Sequence, residues 1–138
     1  MPRTASFVAK NRSLRHNQKY KLYEPKLNLS LGQKYVKILM KNEMFSNNLF
    51  LLTAAYNAGP GNINKWLLTT PYNNDPLLFI ESIPARETRI FIERVLTNLW
   101  IYRMRFNQDK PSLLNIVEGE WPRYISQDPN LSKITNLK

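Results

Sequence analysis

Apolar residues in this chain recur three or four positions apart, and nowhere do they alternate with polar ones over the length of a strand. Leu31, Tyr35, Ile38 and Leu39 fall on one helical face, and Ile92, Val95, Leu99, Tyr102 and Phe106 fall on another. The pattern predicts an all-α fold. Nine prolines and four glycines set the boundaries between helices. Residues 11–27 are polar and basic, and Pro25 blocks a helix running through them, so a loop is expected there; Asn28 caps a helix over 29–42. Ser46 or Asn47 caps the next helix, which stops near Asn57–Ala58 because Gly59 and Pro60 follow. Pro60 opens a short helix with Ile63, Trp66 and Leu67 turned inward, and residues 69–75 form a loop. One or two apolar turns follow over 76–82. Pro84 then opens the longest helix, about 85–107, with Ser82 as a candidate cap. A short amphipathic piece follows Pro111, and the tail 119–138 is expected to be weakly ordered.

The chain has 138 residues, a length that suits one domain with a core of its own. It has no cysteine, which excludes disulfides, thiolate metal sites and a cysteine nucleophile. The single histidine, His16, lies among Arg15, Asn17 and Lys19 and reads as a solvated residue; it cannot build a multi-histidine zinc site. No cofactor or metal is expected. Net charge is +10, with basic residues densest in the first 26 positions. Such a surface suits an acidic polymer: nucleic acid, anionic lipid or bacterial cell wall. No zinc finger, phosphate loop or RNA-binding aromatic signature accompanies it, so nucleic acid is not the expected partner. No window carries the roughly 18 apolar residues of a membrane span, and MPRTASFVAK does not read as a secretory signal.

Two stretches bear on chemistry. In Ala54-Ala55-Tyr56-Asn57-Ala58-Gly59-Pro60-Gly61 a helix ends on a phenol, an amide and two glycines. Small residues let a ligand approach the backbone, the tyrosine ring offers an apolar face, and the amide offers donors and an acceptor, a set that suits a sugar ring. Helix capping by glycine accounts for the same residues without any ligand. In Glu81-Ser82-Ile83-Pro84-Ala85-Arg86-Glu87-Thr88-Arg89 a helix begins with an acid in its first turn, where the helix dipole favours one. A well-built helix start with Glu87 and Arg89 exposed explains this stretch; a cleft in which Glu87 accepts hydrogen bonds from sugar amides or hydroxyls is the functional alternative.

Taken together, AAYNAGPGN, FIESIPARETRIFIERVL and NLWIYRMRF resemble the soluble lytic transglycosylase family, whose catalytic domain is lysozyme-like of the goose type. LNLSLGQKYVKILM is similar to the helix before the family's AYN-G motif, and Met1-Pro2-Arg3-Thr4-Ala5 resembles the end of its GLMQ-containing segment. The resemblance covers about residues 1–108, an N-terminally truncated domain, with 109–138 as a C-terminal extension. It implies that Tyr56, Asn57 and Gly59 line a glycan cleft, that Glu87 is a substrate-orienting carboxylate, and that Met1 and Thr4 sit near the sugar subsites. Trp66, Trp100 and Tyr102 are expected to pack in the core. Phe91 stands where many relatives carry tyrosine.

The family's reaction is non-hydrolytic cleavage of the β-1,4 bond between N-acetylmuramic acid and N-acetylglucosamine. One glutamic acid protonates the leaving oxygen and then accepts the proton of the muramic C6 hydroxyl, closing a 1,6-anhydro ring. That glutamate belongs to a Glu-Ser motif ahead of the GLMQ segment, upstream of the position matching Met1, so no catalytic acid is assigned within these residues. Glu81-Ser82 spells the same pair in an unrelated place. Helices of the missing part would pack on 29–58, so apolar surface is expected to be exposed there. The resemblance implies a fragment inactive alone, peptidoglycan glycan strands as partner together with a complementing N-terminal fragment, and the bacterial periplasm or cell envelope as location. A non-enzymatic glycan-binding module and a basic helical nucleic-acid-binding protein are the alternatives.

Overall fold

The computed structural model describes residues 2–126. Among them are seven α-helices and no strand: α1 (Pro2–Ala9), α2 (Pro25–Met40), α3 (Leu49–Ala58), α4 (Pro60–Thr69), α5 (Pro76–Ser82), α6 (Arg86–Arg105) and α7 (Pro111–Val117). The fold is all-α, as the periodicity predicts. The chain divides into two compact units, Met1–Asn42 and Glu43–Lys138.

In the first unit, α1 and α2 enclose a small core of Ala5, Leu14 and Leu31, with Val8, Ala9, Leu22 and Leu27 packed against it. The loop expected over 11–27 is largely helical. Arg12–Arg15 and Lys19–Tyr23 form 3-10 helices, and Asn11 caps the first by accepting from the Ser13 backbone N–H at 3.0 Å. Pro25 does not lie in a loop. It occupies the first turn of α2, where its missing N–H has no partner to lose. Asn28 therefore lies inside the helix rather than at its cap, and its Nδ2 donates to the Leu22 carbonyl at 2.8 Å, tying the second 3-10 helix to α2.

In the second unit, α3 is buried along residues 49–55, and it packs against both α4 and α6. A helix apolar on every side belongs in an interior. Its cap is Asn48, one residue beyond the expected candidates, whose Oδ1 accepts from the Leu51 backbone N–H at 3.0 Å. Ser46 instead donates to the Glu43 carbonyl. Exposed large apolar side chains within 29–58 are limited to Leu29, Ile38 and Met44 among the described residues.

α5 starts cleanly: Asp75 Oδ1 accepts from the backbone N–H groups of Leu77 and Leu78 at 2.8 and 3.1 Å, and Pro76 follows. The preceding loop turns on Asn73 and Asn74, both at positive φ, which asparagine tolerates better than most residues. α6 begins at Arg86 with Ala85 in the cap position, so neither Ser82 nor Pro84 opens it. The buried face of α6 also differs from the expected stripe. Thr88, Ile92, Leu96 and Arg103 are buried, whereas Val95, Tyr102 and Phe106 are exposed. Tyr102 and Phe106 stack on one another at 6.4 Å between ring centroids, and both are exposed, so Tyr102 does not pack in the core as the sequence predicts. Trp66 is buried as expected, while Trp100 is half-buried and its indole N–H donates to the buried Ser112 hydroxyl at 3.1 Å.

Residues 121–124 run beside the start of α3. The Leu49 N–H donates to the Pro122 carbonyl at 2.8 Å, and the Tyr124 N–H to the Asn47 carbonyl at 3.2 Å. Trp121 meets Phe79, Tyr72 and Phe50 at ring-centroid distances of 5.6, 6.1 and 6.4 Å. The remainder of the expected tail, 127–138, lies outside the described residues, as does Met1.

Candidate functional site

Gly59 ends α3 and opens α4 at once. Its φ of +88° with ψ of 149° lies in a region that only glycine enters without strain. The Gly59 N–H closes α3 onto the Ala55 carbonyl at 2.9 Å, and Asn62 Nδ2 reaches back from α4 to the Ala58 carbonyl at 2.7 Å. The corner is thus satisfied on both sides of the glycine. Its tightness holds Tyr56 and Asn57 in the last turn of α3, both half-buried.

The start of α6 reaches the same corner. Thr88, buried at 2% exposure, donates its hydroxyl to Asn57 Oδ1 at 2.8 Å. One turn further on, the Phe91 ring lies parallel to that of Tyr56, with centroids 6.1 Å apart and planes within 3°. Two motif segments separated in sequence are therefore joined by a hydrogen bond and a ring stack. The bond fixes which way the Asn57 amide faces, with its oxygen toward Thr88, and the stack fixes the plane of the phenol. Arg89 anchors the turn ahead of α6 by donating to the Ile83 carbonyl, so it is half-buried rather than exposed.

Glu87 immediately precedes Thr88 and is exposed in the first turn of α6. Tyr56, Asn57, Gly59 and the Glu87–Phe91 turn are thus brought into one neighbourhood. Thr4 is half-buried on α1 in the first unit, and Met1 lies outside the described residues. Thr88 is an ordinary helix residue in the sequence until its partner is known, and Phe91, which stands where many relatives carry tyrosine, gains its stacking role only from the position of Tyr56.

All nine Asp and Glu side chains among the described residues are exposed. No group of three or more His, Asp or Glu among the described residues is placed to hold a metal ion. A shallow groove of about 540 Å³ elsewhere on the second unit is lined by Glu43, Met44, Asn47, Asn48, Trp121, Arg123, Tyr124 and Ile125. It contains none of the motif residues, and its Asn48 and Trp121 are already engaged in capping and ring packing.

Residues 1–78 match the family model of the transglycosylase SLT domain. The chain is 36% identical over 124 residues to the soluble lytic murein transglycosylases of Escherichia coli K12 and of Salmonella typhimurium, an overlap covering 89% of this chain and 18% of each relative. It is 31% identical over 115 residues to a putative soluble lytic murein transglycosylase of Haemophilus influenzae, covering 83% of this chain and 19% of that protein. The chain thus spans about a fifth of the length of these relatives. No solved structure matches it at a significant level. With the family model covering more than half of its residues, the chain belongs to the transglycosylase SLT domain family.

Proposed function

We propose that this chain supplies the glycan-holding part of a lytic murein transglycosylase and does not cleave murein alone. The observation that carries the proposal is the junction of the two motif segments, Thr88 with Asn57 and Phe91 with Tyr56. It presents an amide and a phenol in fixed orientations beside a glycine corner and an exposed carboxylate, Glu87. An oriented amide and an aromatic plane suit the N-acetyl groups and C–H faces of amino sugars. In this reading Tyr56, Asn57 and Gly59 line the cleft and Glu87 accepts hydrogen bonds from the sugar. Murein glycan strands are the substrate and the bacterial cell envelope is the setting, in keeping with the names of the relatives. No helix among the described residues is long and apolar enough to cross a membrane.

The general acid is assigned to a complementing segment of the family type bearing Glu-Ser, because every described carboxylate here is exposed. That acid donates a proton to the leaving oxygen and takes one from the muramic C6 hydroxyl. This chain's residues hold the sugars in register for both transfers, which lowers the entropic part of the barrier.

The test has two arms. Titration of neutral N-acetylglucosamine oligomers into the chain gives heat of binding that Asn57→Ala removes. Incubation with murein sacculi gives no 1,6-anhydro products from the chain alone and gives them when a Glu-Ser/GLMQ polypeptide is added. Products from the chain alone, lost on Glu87→Gln, would reverse the assignment of roles. Absence of heat at millimolar oligomer would remove the cleft itself. A non-enzymatic glycan-binding module remains if oligomers bind and no added segment restores cleavage.

A further inference from the structure

The net charge of +10 is divided very unevenly between the two units. Residues 1–42 carry ten Lys or Arg against one acid, Glu24, whereas residues 43–138 carry ten against nine. Almost the whole excess therefore resides in the smaller unit. Every one of its basic side chains is exposed except Lys21, which is half-buried.

The basic residues of this unit are also ordered. On α2, Lys26, Lys34 and Lys37, with Lys41 at the C-terminal cap, are spaced by eight, three and four residues. At 100° per residue they fall within about 80° of arc, and at 1.5 Å per residue the row runs for roughly 22 Å. The buried Leu31 and Leu39 lie on the other side of the helix. No acid interrupts α2 at all. Like charges stacked along one face destabilise an isolated helix, so fold stability gives no reason for the row.

A second observation is independent of charge. The 3-10 helix Lys19–Tyr23, tied to α2 through Asn28, has the sequence KYKLY. Tyr20 is 61% exposed and Tyr23 89% exposed, so two large aromatic planes stand in water, Tyr20 between Lys19 and Lys21 and Tyr23 two residues after Lys21. Exposed aromatics alternating with cations present a stacking face and a counter-charge together, the combination an acidic sugar polymer or a single-stranded nucleic acid requires.

We infer that the first unit is a docking surface for the carboxylate-bearing murein polymer, with the α2 lysines meeting its carboxylates and Tyr20 and Tyr23 meeting its sugar faces. Two features favour this partner over nucleic acid. Lysines outnumber arginines seven to three in the unit, whereas planar, bidentate phosphate recognition favours arginine. The family's relatives are named for murein, and the choice of polymer rests on the reading of the chain as a murein-acting protein. The lysine row and the Tyr56–Asn57 corner differ in what they recognise: the corner reads neutral sugar, and the lysine row reads acid.

The probes are intact murein sacculi, sacculi whose carboxylates are converted to methylamides, and single-stranded DNA, each co-sedimented or titrated with the full chain. The chain is expected to bind intact sacculi with an affinity that falls as salt rises. The variant Lys26→Gln/Lys34→Gln/Lys37→Gln/Lys41→Gln binds about tenfold or more weakly with a shallower salt dependence, since fewer counterions are released. Tyr20→Ser/Tyr23→Ser weakens binding with the salt slope unchanged, a second readout should the lysine variant fold poorly. Methylamide sacculi bind the wild type as weakly as intact sacculi bind the lysine variant. Neutral N-acetylglucosamine oligomers bind the lysine variant and the wild type alike, which separates this surface from the cleft. Equal binding of intact and methylamide sacculi, or undiminished binding by both variants, overturns the proposal. Tighter binding of DNA than of sacculi at equal salt also overturns it and assigns the surface to nucleic acid.

Discussion

The Thr88 hydroxyl donates to Asn57 Oδ1 across 2.8 Å, joining two side chains 31 residues apart. Thr88→Val keeps the volume of the buried side chain and removes the donor. Loss of one such bond is expected to cost about 1 kcal/mol of stability. The freed amide can then turn, so neutral N-acetylglucosamine oligomers should bind more weakly, by roughly three- to tenfold, of the same order as that energy. Thermal unfolding and calorimetry check the two effects. An unchanged affinity would show that the orientation of Asn57 does not matter to a ligand.

Gly59 and Gly61 lie two residues apart and should respond oppositely to the same substitution. An alanine Cβ would meet no atom within 4 Å at either position. Space is therefore equal and only the backbone differs. At Gly59, with φ at +88°, Gly59→Ala should destabilise by about 1–3 kcal/mol. At Gly61, inside α4, Gly61→Ala should be neutral or stabilise by up to about 1 kcal/mol. Urea midpoints of the two variants decide it; equal shifts would show that the corner is not held by its dihedral angle.

Arg103 is 6% exposed and donates through one guanidinium nitrogen to the Asp109 carbonyl and through the other to the Ile125 carbonyl, each at 2.8 Å. A single buried cation thereby ties the end of α6 to two later segments. Arg103→Met fills similar space and leaves both carbonyls without that partner, a loss of about 2–4 kcal/mol. Arg103→Lys should recover only part of it, because an ammonium group lacks the fork. Thermal melts of the pair provide the comparison.

Trp121 belongs to the second unit's packing. Trp121→Ala removes ring contacts to Phe50, Tyr72 and Phe79 at once and is expected to cost about 2–4 kcal/mol. The measurement is denaturant unfolding. A variant as stable as the wild type would place 119–126 outside the cooperative unit.

Glu87→Gln is expected to leave the melting temperature within about 2 °C, since an exposed first-turn carboxylate contributes only a few tenths of a kcal/mol through the helix dipole. Its effect should instead appear as weaker binding of oligomers carrying N-acetyl groups. A large drop in stability with unchanged binding would assign Glu87 a structural role.

What the sequence settled by itself was whatever a residue dictates to its own neighbours. Pro60, lacking an N–H, must open a helix, and Gly59 is the residue able to turn the corner before it; both are legible from local chemistry. Pro25 shows the limit of such reading: a proline can end one segment or open the next, and here it opens α2, where Asn28 meets the Leu22 carbonyl. The buried face of α6 was decided only in three dimensions. Apolar residues occur on several of its sides, and contact with α3 selected Thr88, Ile92 and Leu96 over Val95 and Tyr102. The same holds for Arg103, whose charge reads as surface until two distant carbonyls converge on it, and for Asn57 and Thr88, whose bond exists only where the end of one helix meets the start of another.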